Sequence, residues 1–411
     1  MHKLKTFFSI TIIVVLLCLG AYSFYTPNQV SISEIEKRIL QTNDELIEDF
    51  FLSSNFTKTF ESIIADQFIN RYYFVKLRNT VNYRFIETIL GNNDNPFLLK
   101  RIGDSPIFKI GKTDYLMSFP ILYNKDVEKR MIRRTEQINK LARDFPDIKF
   151  YVYKPTQIFE TDFFDQANKI QSAGKIYDQL LRDHLEVPYD SFEFHTFSDY
   201  PKYQYFTDHH WNHDGADRGY NEIINLMLGE HEERLVPQDI NCFGNLTFKG
   251  TYSSLSGFVT PGAPFCAYRY NLPEYELYVN GAFESLHRDT NNYFHTVVEN
   301  RDSYHYSAAF DLGSGFVEIK SSSINDRNLL IIGDSYAPSI APLLAYHYDQ
   351  IYLVNPIRFQ QVYGYDFIYD DFLIDNKIEN VLFMYVIENY YAADEWGERY
   401  KVFDVHRKED E

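Results

Sequence analysis

One short segment, DHHWNHD at residues 208–214, contains three histidines and two aspartates. Three kinds of chemistry use these residue types at such close spacing. A histidine and a carboxylate can act as the base and the orienting group of a nucleophilic site. Several histidines can bind a metal ion. Polar residues can also simply cap the helix that the next residues predict.

A second motif supplies a candidate nucleophile. The sequence NLLIIGDSYAPSI predicts a strand that ends at Ile332, a tight turn at Gly333, and a helix that begins after Ser335. Ligands of open α/β sheets bind at the carboxyl ends of strands, so Ser335 lies where a nucleophile is expected. The alternative is that Ser335 only caps the following helix.

The first motif offers the partners that a nucleophilic serine needs. Residues two apart in an extended segment point to the same side, so we expect Asp208 and His210 to meet and His209 to point away. A metal site would instead use His209, His210 and His213 with Asp208 or Asp214. Adjacent His209 and His210 converge poorly on one ion, and the sequence has no second His/Cys cluster. We therefore predict no metal and no other cofactor.

Together, these motifs resemble a known family. DHHW followed by NHDGA, with the later GDSY, is similar to the DHHW-motif family and its relatives, the SGNH hydrolase-like proteins of alginate O-acetylation. The resemblance covers most of the chain after its N-terminal segment and includes FESIIADQFINR and IFKIGKTDYL. It implies an Asp-x-His element ahead of the serine, the reverse of the ordinary SGNH order. It also implies a triad of Asp208, His210 and Ser335, with Trp211 packing behind the histidine.

The oxyanion donors are less defined, because the Gly and Asn donors of an SGNH site cannot be placed from this sequence. The backbone N–H of Ser335 or Tyr336 is the first candidate, with Gly333 and Asp334 supporting the same turn. The side chain of Asn389, just beyond the predicted strand NVLFMYV, is a second candidate.

Strand and helix patterns alternate along much of the chain. The apolar runs IKFYVY, NLLIIGDS, QIYLVN and NVLFMYV predict buried strands, and helical patterns include residues 125–144, AGKIYDQLLRDHL and DGADRGYNEIINLML. This alternation favours an α/β fold with a parallel sheet sandwiched by helices, which the resemblance specifies as SGNH hydrolase-like, or flavodoxin-like. From about 230 to 327 the pattern predicts a β-rich insertion over the carboxyl edge of the sheet.

The N-terminal sequence predicts a membrane segment. Residues 7–25 form an uncharged run of nineteen residues after Lys3 and Lys5. We expect a membrane anchor or a cleaved signal at 1–27, a helical stem at 28–100 that begins near the capping box SEIE, and the SGNH hydrolase-like domain at 101–411. The protein would cross the cell membrane once with its domain outside the cytoplasm, or be secreted if a signal is cleaved.

Composition limits the partners. The 411 residues include 40 Lys and Arg against 58 Asp and Glu, and the resulting net charge of −18 repels nucleic acid. The 34 Tyr and 35 Phe can present flat surfaces to sugar rings or serve only in packing. Cys242 and Cys266 can pair in an oxidising compartment or remain separate buried thiols.

The resemblance implies a serine O-acetyltransferase or acetylesterase that acts on a cell-surface polysaccharide through an acyl-enzyme, with a membrane protein that exports the acyl group as partner. Arg358, after the run QIYLVN, is a candidate for holding an acidic sugar, although it can also be an ordinary surface arginine. The alternative function is a non-catalytic glycan-binding or assembly protein of a surface polysaccharide export system.

Overall fold

The computed structural model describes residues 7, 10, 11, 13–15, 17, 18, 20–22, 32, 33, 38–42, 56–68, 70–90, 95, 97–102, 106–257, 260–287, 306, 314–323, 325–391 and 404–407. The predicted anchor at 1–27 lies largely outside these residues. Within the described part of the chain, no helix has both the length and the apolar character needed to cross a membrane.

The chain divides into two compact units. The first contains Met1–Asn93, Arg101–Ile107 and Tyr252–Pro261, and the second contains Asp94–Lys100, Phe108–Thr251 and Gly262–Glu411. The strands are β1 (Ile32–Ser33), β2 (Arg38–Ile39), β3 (Leu99–Arg101), β4 (Phe108–Ile110), β5 (Leu116–Met117), β6 (Lys149–Lys154), β7 (Tyr189–Ser191), β8 (Asp239–Phe248), β9 (Ala263–Arg269), β10 (Tyr275–Val279), β11 (Ala282–His287), β12 (Phe316–Ser321), β13 (Asn328–Gly333), β14 (Gln350–Val354) and β15 (Asn380–Met384). The α-helices are α1 (Phe56–Asp66), α2 (Arg71–Leu90), α3 (Lys125–Asp144), α4 (Asp165–Asn168), α5 (Gly174–His184), α6 (Asp199–Tyr203), α7 (His213–Leu228), α8 (Thr251–Leu255), α9 (Ala341–Leu344), α10 (Pro356–Tyr363), α11 (Tyr369–Asp375) and α12 (Ile387–Tyr391).

Helices α1 and α2 of the first unit lie in the region predicted as a helical stem. The predicted helix start at SEIE is wrong, because Ser33 belongs to β1, which pairs antiparallel with β2. A capping pattern is a local signal, and backbone pairing with a second segment overrides it.

The second unit is built on an eight-stranded sheet in the order β11-β10-β12-β14-β13-β15-β6-β7. The five strands from β14 to β7 are parallel to one another. We number β13 as strand 1, β14 as strand 2, β15 as strand 3, β6 as strand 4 and β7 as strand 5. Across the sheet these strands then stand in the order 2-1-3-4-5. This is the flavodoxin-like order, entered by the chain at its fourth strand.

Both faces of the sheet are covered. In β13, Leu330 and Ile332 join one apolar core with residues of α3 and α5, whereas Leu329 and Ile331 join a second core with residues of α7. Successive side chains of a strand point to opposite faces, so a strand buried on both faces needs a continuous apolar run. The mixed α/β architecture predicted from such runs is confirmed.

The β-rich region is real, but part of its predicted position is wrong. Strands β10, β11 and β12 do not lie over the carboxyl edge; they extend the central sheet as antiparallel strands beside β14. Strands β8 and β9 form a separate antiparallel pair. Cys242 and Cys266 face each other across this pair and are joined by a disulfide, so the pairing left open by the sequence is made.

Candidate active site

The segment that carries Asp208 and His210 is a tight loop. Gln204 and Trp211 form an antiparallel bridge, and Tyr205 N donates to the carbonyl of His210 at 3.2 Å. Residues 208–210 form a bend within this loop. Asn212 then caps helix α7 by accepting from Gly215 N at 3.0 Å. The cap is therefore one residue beyond the DHHW motif, and the motif itself is available for other contacts.

Asp208 is a buried, ionised acceptor. Its Oδ1 accepts from His210 N at 3.0 Å, and its Oδ2 accepts from Thr251 N at 2.6 Å. Burial alone would raise the pKa of Asp208, but the electrostatic interactions with the His209 and His210 rings and the hydrogen bonds from His210 and Thr251 outweigh burial and lower this pKa well below its usual range.

His210 connects this carboxylate with the serine. Its Nδ1 lies 2.5 Å from Asp208 Oδ1, and its Nε2 lies 2.7 Å from Ser335 Oγ. The carboxylate selects the tautomer with a proton on Nδ1, and Nε2 is then the acceptor for the serine hydroxyl. Asp208 and His210 are buried, while Ser335 is only partly buried. The serine hydroxyl is thus partly accessible, while the imidazole and the carboxylate beside it are sheltered from solvent.

His209 does not point away from this site, and that expectation is wrong. Its ring centroid is 4.0 Å from that of His210, and its Nδ1 is 3.5 Å from Asp208 Oδ1. The alternation of an extended strand does not hold because residues 208–210 form a bend. Burial and the neighbouring His210 lower the pKa of His209 to about 3, so this imidazole is neutral at pH 7.

The residues considered for a metal ion are only partly brought together. Potential ligand atoms of Asp208, His209 and His210 lie within 4.8 Å of one another. Both nitrogens of His210 are already engaged, so an ion there would displace the contact with Asp208 or with Ser335. His213 lies 3.8 Å from Asp214 and packs on Tyr268, apart from that group.

The turn after β13 is held by Asp334. Its carboxylate accepts from Tyr336 N at 3.0 Å, Val386 N at 2.7 Å and the Asn389 amide at 2.9 Å. These bonds tie the end of β13 to the residues that follow β15. Burial raises the pKa of Asp334 despite the three donors. The next element is a short 3-10 helix, Ala337–Ser339, whose N-cap is Tyr336 and not Ser335. The Ser335 hydroxyl contacts His210 instead.

These hydrogen bonds decide which of the predicted oxyanion donors are still available to a substrate. Tyr336 N and the Asn389 amide both donate to Asp334, which removes the Tyr336 N–H as a donor for substrate and commits one Asn389 N–H. Among the described residues, the N–H of Ser335 donates to no partner. Ser335 N is therefore the backbone donor that remains from the predicted set, beside the second N–H of Asn389.

Aromatic rings pack against the imidazole of His210. The ring of Tyr306 stacks on His210 with centroids 3.7 Å apart and an interplanar angle of 4°, and Tyr336 approaches within 4.8 Å. Trp211 was expected behind the histidine, but it lies one layer further and packs edge-on against Tyr336 at 5.0 Å. Its Nε1 donates to Ser339 Oγ at 2.8 Å. Trp211 therefore supports the imidazole through Tyr336.

Arg358 lies on α10, at the carboxyl end of β14. Its guanidinium donates to Gln361 at 2.8 Å, and its backbone N donates to the Asn355 cap at 3.2 Å. Within the described part of the chain, no contact links it with Ser335 or His210. A role for Arg358 with an acidic sugar stays a prediction.

Sequence reasoning missed three contributors to the site. Thr251 donates its backbone N–H to Asp208, and a Cβ atom at Gly250 would overlap the same carboxylate. Tyr306 stacks on the imidazole from a region without a regular pattern. Gly250 and Thr251 lie in the sequence FKGTYSSLSG, where a glycine in a polar loop is the local signal. Nothing in this sequence indicates that the loop contacts Asp208.

The comparisons with known proteins agree with this geometry at the level of fold. No protein-family model and no curated protein matches the sequence. A solved DHHW family protein from Eubacterium siraeum aligns with a TM-score of 0.56 and 15% identity over 75% of this chain and 98% of that chain. Bacillus cereus PatB1, solved with a sulfonyl adduct, aligns with a TM-score of 0.54 and 19% identity over 72% of this chain and 96% of that chain.

The O-acetyltransferase domain of Pseudomonas putida AlgJ aligns more loosely, with a TM-score of 0.40 and 8% identity over 71% of this chain and 97% of that chain. The resemblance predicted from the DHHW and GDSY motifs is confirmed at the level of fold by the first two structures. The chain combines a DHHW motif with the fold of a solved DHHW family protein and of PatB1.

Proposed function

We propose that the protein is a serine O-acetyltransferase or acetylesterase that acts on a cell-surface polysaccharide. The observation that carries this proposal is the continuous chain of contacts from Asp208 through His210 to Ser335, with distances of 2.5 and 2.7 Å. An N-cap serine or a packed histidine has no need of both contacts. A nucleophile with a base and an orienting carboxylate needs both.

In the proposed reaction, Ser335 Oγ attacks the acyl carbon of an acetyl ester while His210 Nε2 accepts the hydroxyl proton. Asp208 stabilises the imidazolium that forms, and Ser335 N donates to the oxyanion. The imidazolium then returns the proton to the leaving alkoxide, which leaves an acetyl group on Ser335. A sugar hydroxyl or water resolves this acyl-enzyme by the same steps in reverse.

The disulfide supports a site outside the cytoplasm, because such bonds persist in oxidising compartments. We place the protein at the cell membrane, anchored by residues 1–27, or secreted if that segment is cleaved. We also propose that a membrane protein supplies the acetyl group across the membrane.

The proposal is tested by covalent labelling of the full chain with a fluorophosphonate probe and with phenylmethylsulfonyl fluoride. We expect one adduct on Ser335, which is lost in Ser335→Ala and in His210→Ala. His195→Ala, an exposed histidine, is the matched control and should label like the wild type. Absence of labelling in the folded wild type would instead favour a non-catalytic glycan-binding or assembly protein.

A further inference from the structure

A cavity that is partly open to solvent lies in the second unit beside the triad. Trp211, which follows His210 directly, forms one wall, and Ser339, four residues after Ser335, forms another. The cavity and the triad thus share the DHHW loop and the turn after β13.

The walls of this cavity are mainly aromatic. They include Tyr205, Trp211, Phe265, Tyr268 and Tyr270. Rings of this kind present apolar faces with a polar atom at one end. The C–H faces of a pyranose ring can pack on such faces while the hydroxyl groups remain at the edges for hydrogen bonds.

His213 provides a polar atom that the protein leaves unsatisfied. It lines the cavity, its side chain is 18% exposed, and its buried Nδ1 has no hydrogen-bond partner among the described residues. A buried polar nitrogen without a hydrogen-bond partner raises the free energy of the folded protein. A hydrocarbon occupant would leave the nitrogen unsatisfied, whereas a hydroxyl group could form the missing hydrogen bond. Burial lowers the pKa of His213, which favours a neutral ring that can bond to a hydroxyl.

The charges around the cavity exclude an anionic occupant. The hydroxyl of Tyr268 donates to Asp214 at 2.5 Å, and that of Tyr270 donates to Asp217 at 2.7 Å. These carboxylates stand directly behind two of the aromatic walls. A uronate or a phosphate would meet like charges there, whereas a neutral sugar would not.

From these contacts we infer that the cavity is a subsite for one neutral pyranose ring of the acceptor glycan. The acceptor role rests on the proposed acyl transfer, whereas ring binding does not. Bound in this cavity, the sugar would contact Trp211 and Ser339, which belong to the same loop and the same turn as His210 and Ser335. Its chain could then bring a neighbouring hydroxyl to the acyl-enzyme.

The test measures binding by saturation-transfer NMR on the full-length Ser335→Ala protein, which cannot form an acyl-enzyme. The probes are chitotetraose and maltotetraose as neutral glycans, trigalacturonate as an anionic glycan, and octanoate as an acyl chain. We expect at least one neutral glycan to bind with a Kd near ~1 mM. We expect His213→Ala and Tyr268→Ala to weaken it at least ~5-fold, and trigalacturonate and octanoate not to compete.

Tyr268→Phe keeps the ring, so it should weaken binding less than Tyr268→Ala, and His195→Ala is the matched control. Unchanged affinity in His213→Ala, no neutral binding at ~10 mM, or tighter binding of either other probe would overturn the inference. Labelling of Ser335 in the wild type with no binding in the cavity would overturn this subsite alone. Neutral binding without any labelling would leave the sugar site standing and remove its acceptor role.

Discussion

The two adjacent histidines of the site have different contacts, and this difference predicts different mutational effects. His210 joins Asp208 and Ser335, whereas His209 approaches Asp208 only at 3.5 Å. We expect Ser335→Ala and His210→Ala each to reduce turnover of a small acetyl ester at least ~10³-fold, because triad members act as a unit. His209→Ala should retain most of the activity.

The melting temperature of Ser335→Ala should stay within a few degrees of the wild type, because a partly exposed hydroxyl contributes little to packing. Equal losses in His209→Ala and His210→Ala would contradict the assignment and favour a shared metal ion. Incubation of the wild type with a strong chelator distinguishes the triad from a shared metal ion. We expect the activity to survive the chelator, whereas a metal-dependent activity would be lost.

Glu388 gives the site region a specific pH dependence. This partly buried carboxyl group follows β15 and lies 3.4 Å from the amide of Gln157. Burial, and then the carboxylates of Glu160 and Asp334, raise its pKa to about 8, against the opposing charge of Lys154. The unfolded chain ionises near its ordinary value of ~4.3, so the folded state binds the extra proton between these values and stability falls as pH rises through that interval.

Glu388→Gln removes this loss of stability at high pH, because the amide of glutamine stays neutral at every pH. The variant should gain stability relative to the wild type as pH increases from 5 to 8, by at least ~1 kcal/mol at pH 8. Urea unfolding at both pH values measures the change, with Glu230→Gln on the exposed surface as control. A stability difference between variant and wild type that is the same at pH 5 and pH 8 would rule out a raised pKa for Glu388.

Local sequence rules predicted that Asp208, His210 and Ser335 come together, but they did not predict the full geometry of these contacts. The contact of Asp208 with His210 was predicted from residue spacing, yet the loop makes it by a bend and not by strand alternation. That bend also brings His209 back to the carboxylate. The position of Tyr306 was out of reach, because stacking across almost a hundred residues leaves no local pattern.

At the scale of elements, the loop after β8 completes the site. Gly250 is required by close approach, since any side chain there would overlap the Asp208 carboxylate. We expect Gly250→Ala to lower the activity at least ~10-fold while the protein still folds, because a small displacement of an orienting group is enough to misplace the imidazole. Thr251→Ala is the matched control, since it keeps the backbone N–H that Asp208 accepts.

Ester turnover and circular dichroism of both variants provide the measurement. Full activity in Gly250→Ala would mean that the loop can shift to accommodate the added methyl group without moving Asp208. Loss of activity in Thr251→Ala would mean that its side chain, and not only its N–H, is part of the site.

Elements with strong local patterns were predicted well. The helix expected at 125–144 is α3, and the four long apolar runs are β6, β13, β14 and β15. Strand β7 was missed because Tyr189–Ser191 is short and only its last residue is buried. The attachment of β12 to β14 was also missed, because pairing between strands depends on partners that a local pattern does not contain.

For the whole molecule, the order of the strands explains the order of the motifs. The chain enters the flavodoxin-like sheet at β6, so the Asp-x-His loop, which follows β7, is made before β13 and its serine. The carboxyl ends of β13 and β15 meet at the point where the strand order reverses, and Ser335 follows β13 there. The reversed motif order therefore requires no change in the architecture of the site.

We propose that this arrangement favours transfer of the acyl group over its hydrolysis. An acyl group on Ser335 can react with water or with a sugar hydroxyl, and a sugar ring held in the neighbouring aromatic cavity would raise the effective concentration of its hydroxyls. We expect transfer of acetyl groups to exceed hydrolysis when a neutral oligosaccharide occupies that cavity. The His210 base serves both reactions, so the ratio of transfer to hydrolysis, and not the pH profile, distinguishes them.

The measurement supplies p-nitrophenyl acetate with chitotetraose or maltotetraose and follows acetylated sugar and free acetate by mass spectrometry. The wild type should form acetylated sugar, with an acetate share that falls as the glycan concentration rises. In His213→Ala, release of p-nitrophenol should persist while the product shifts to acetate, because the nucleophile is intact and only the acceptor is lost. Free acetate alone at saturating glycan would identify an esterase, since a bound sugar would then lie too far from Ser335 to compete with water.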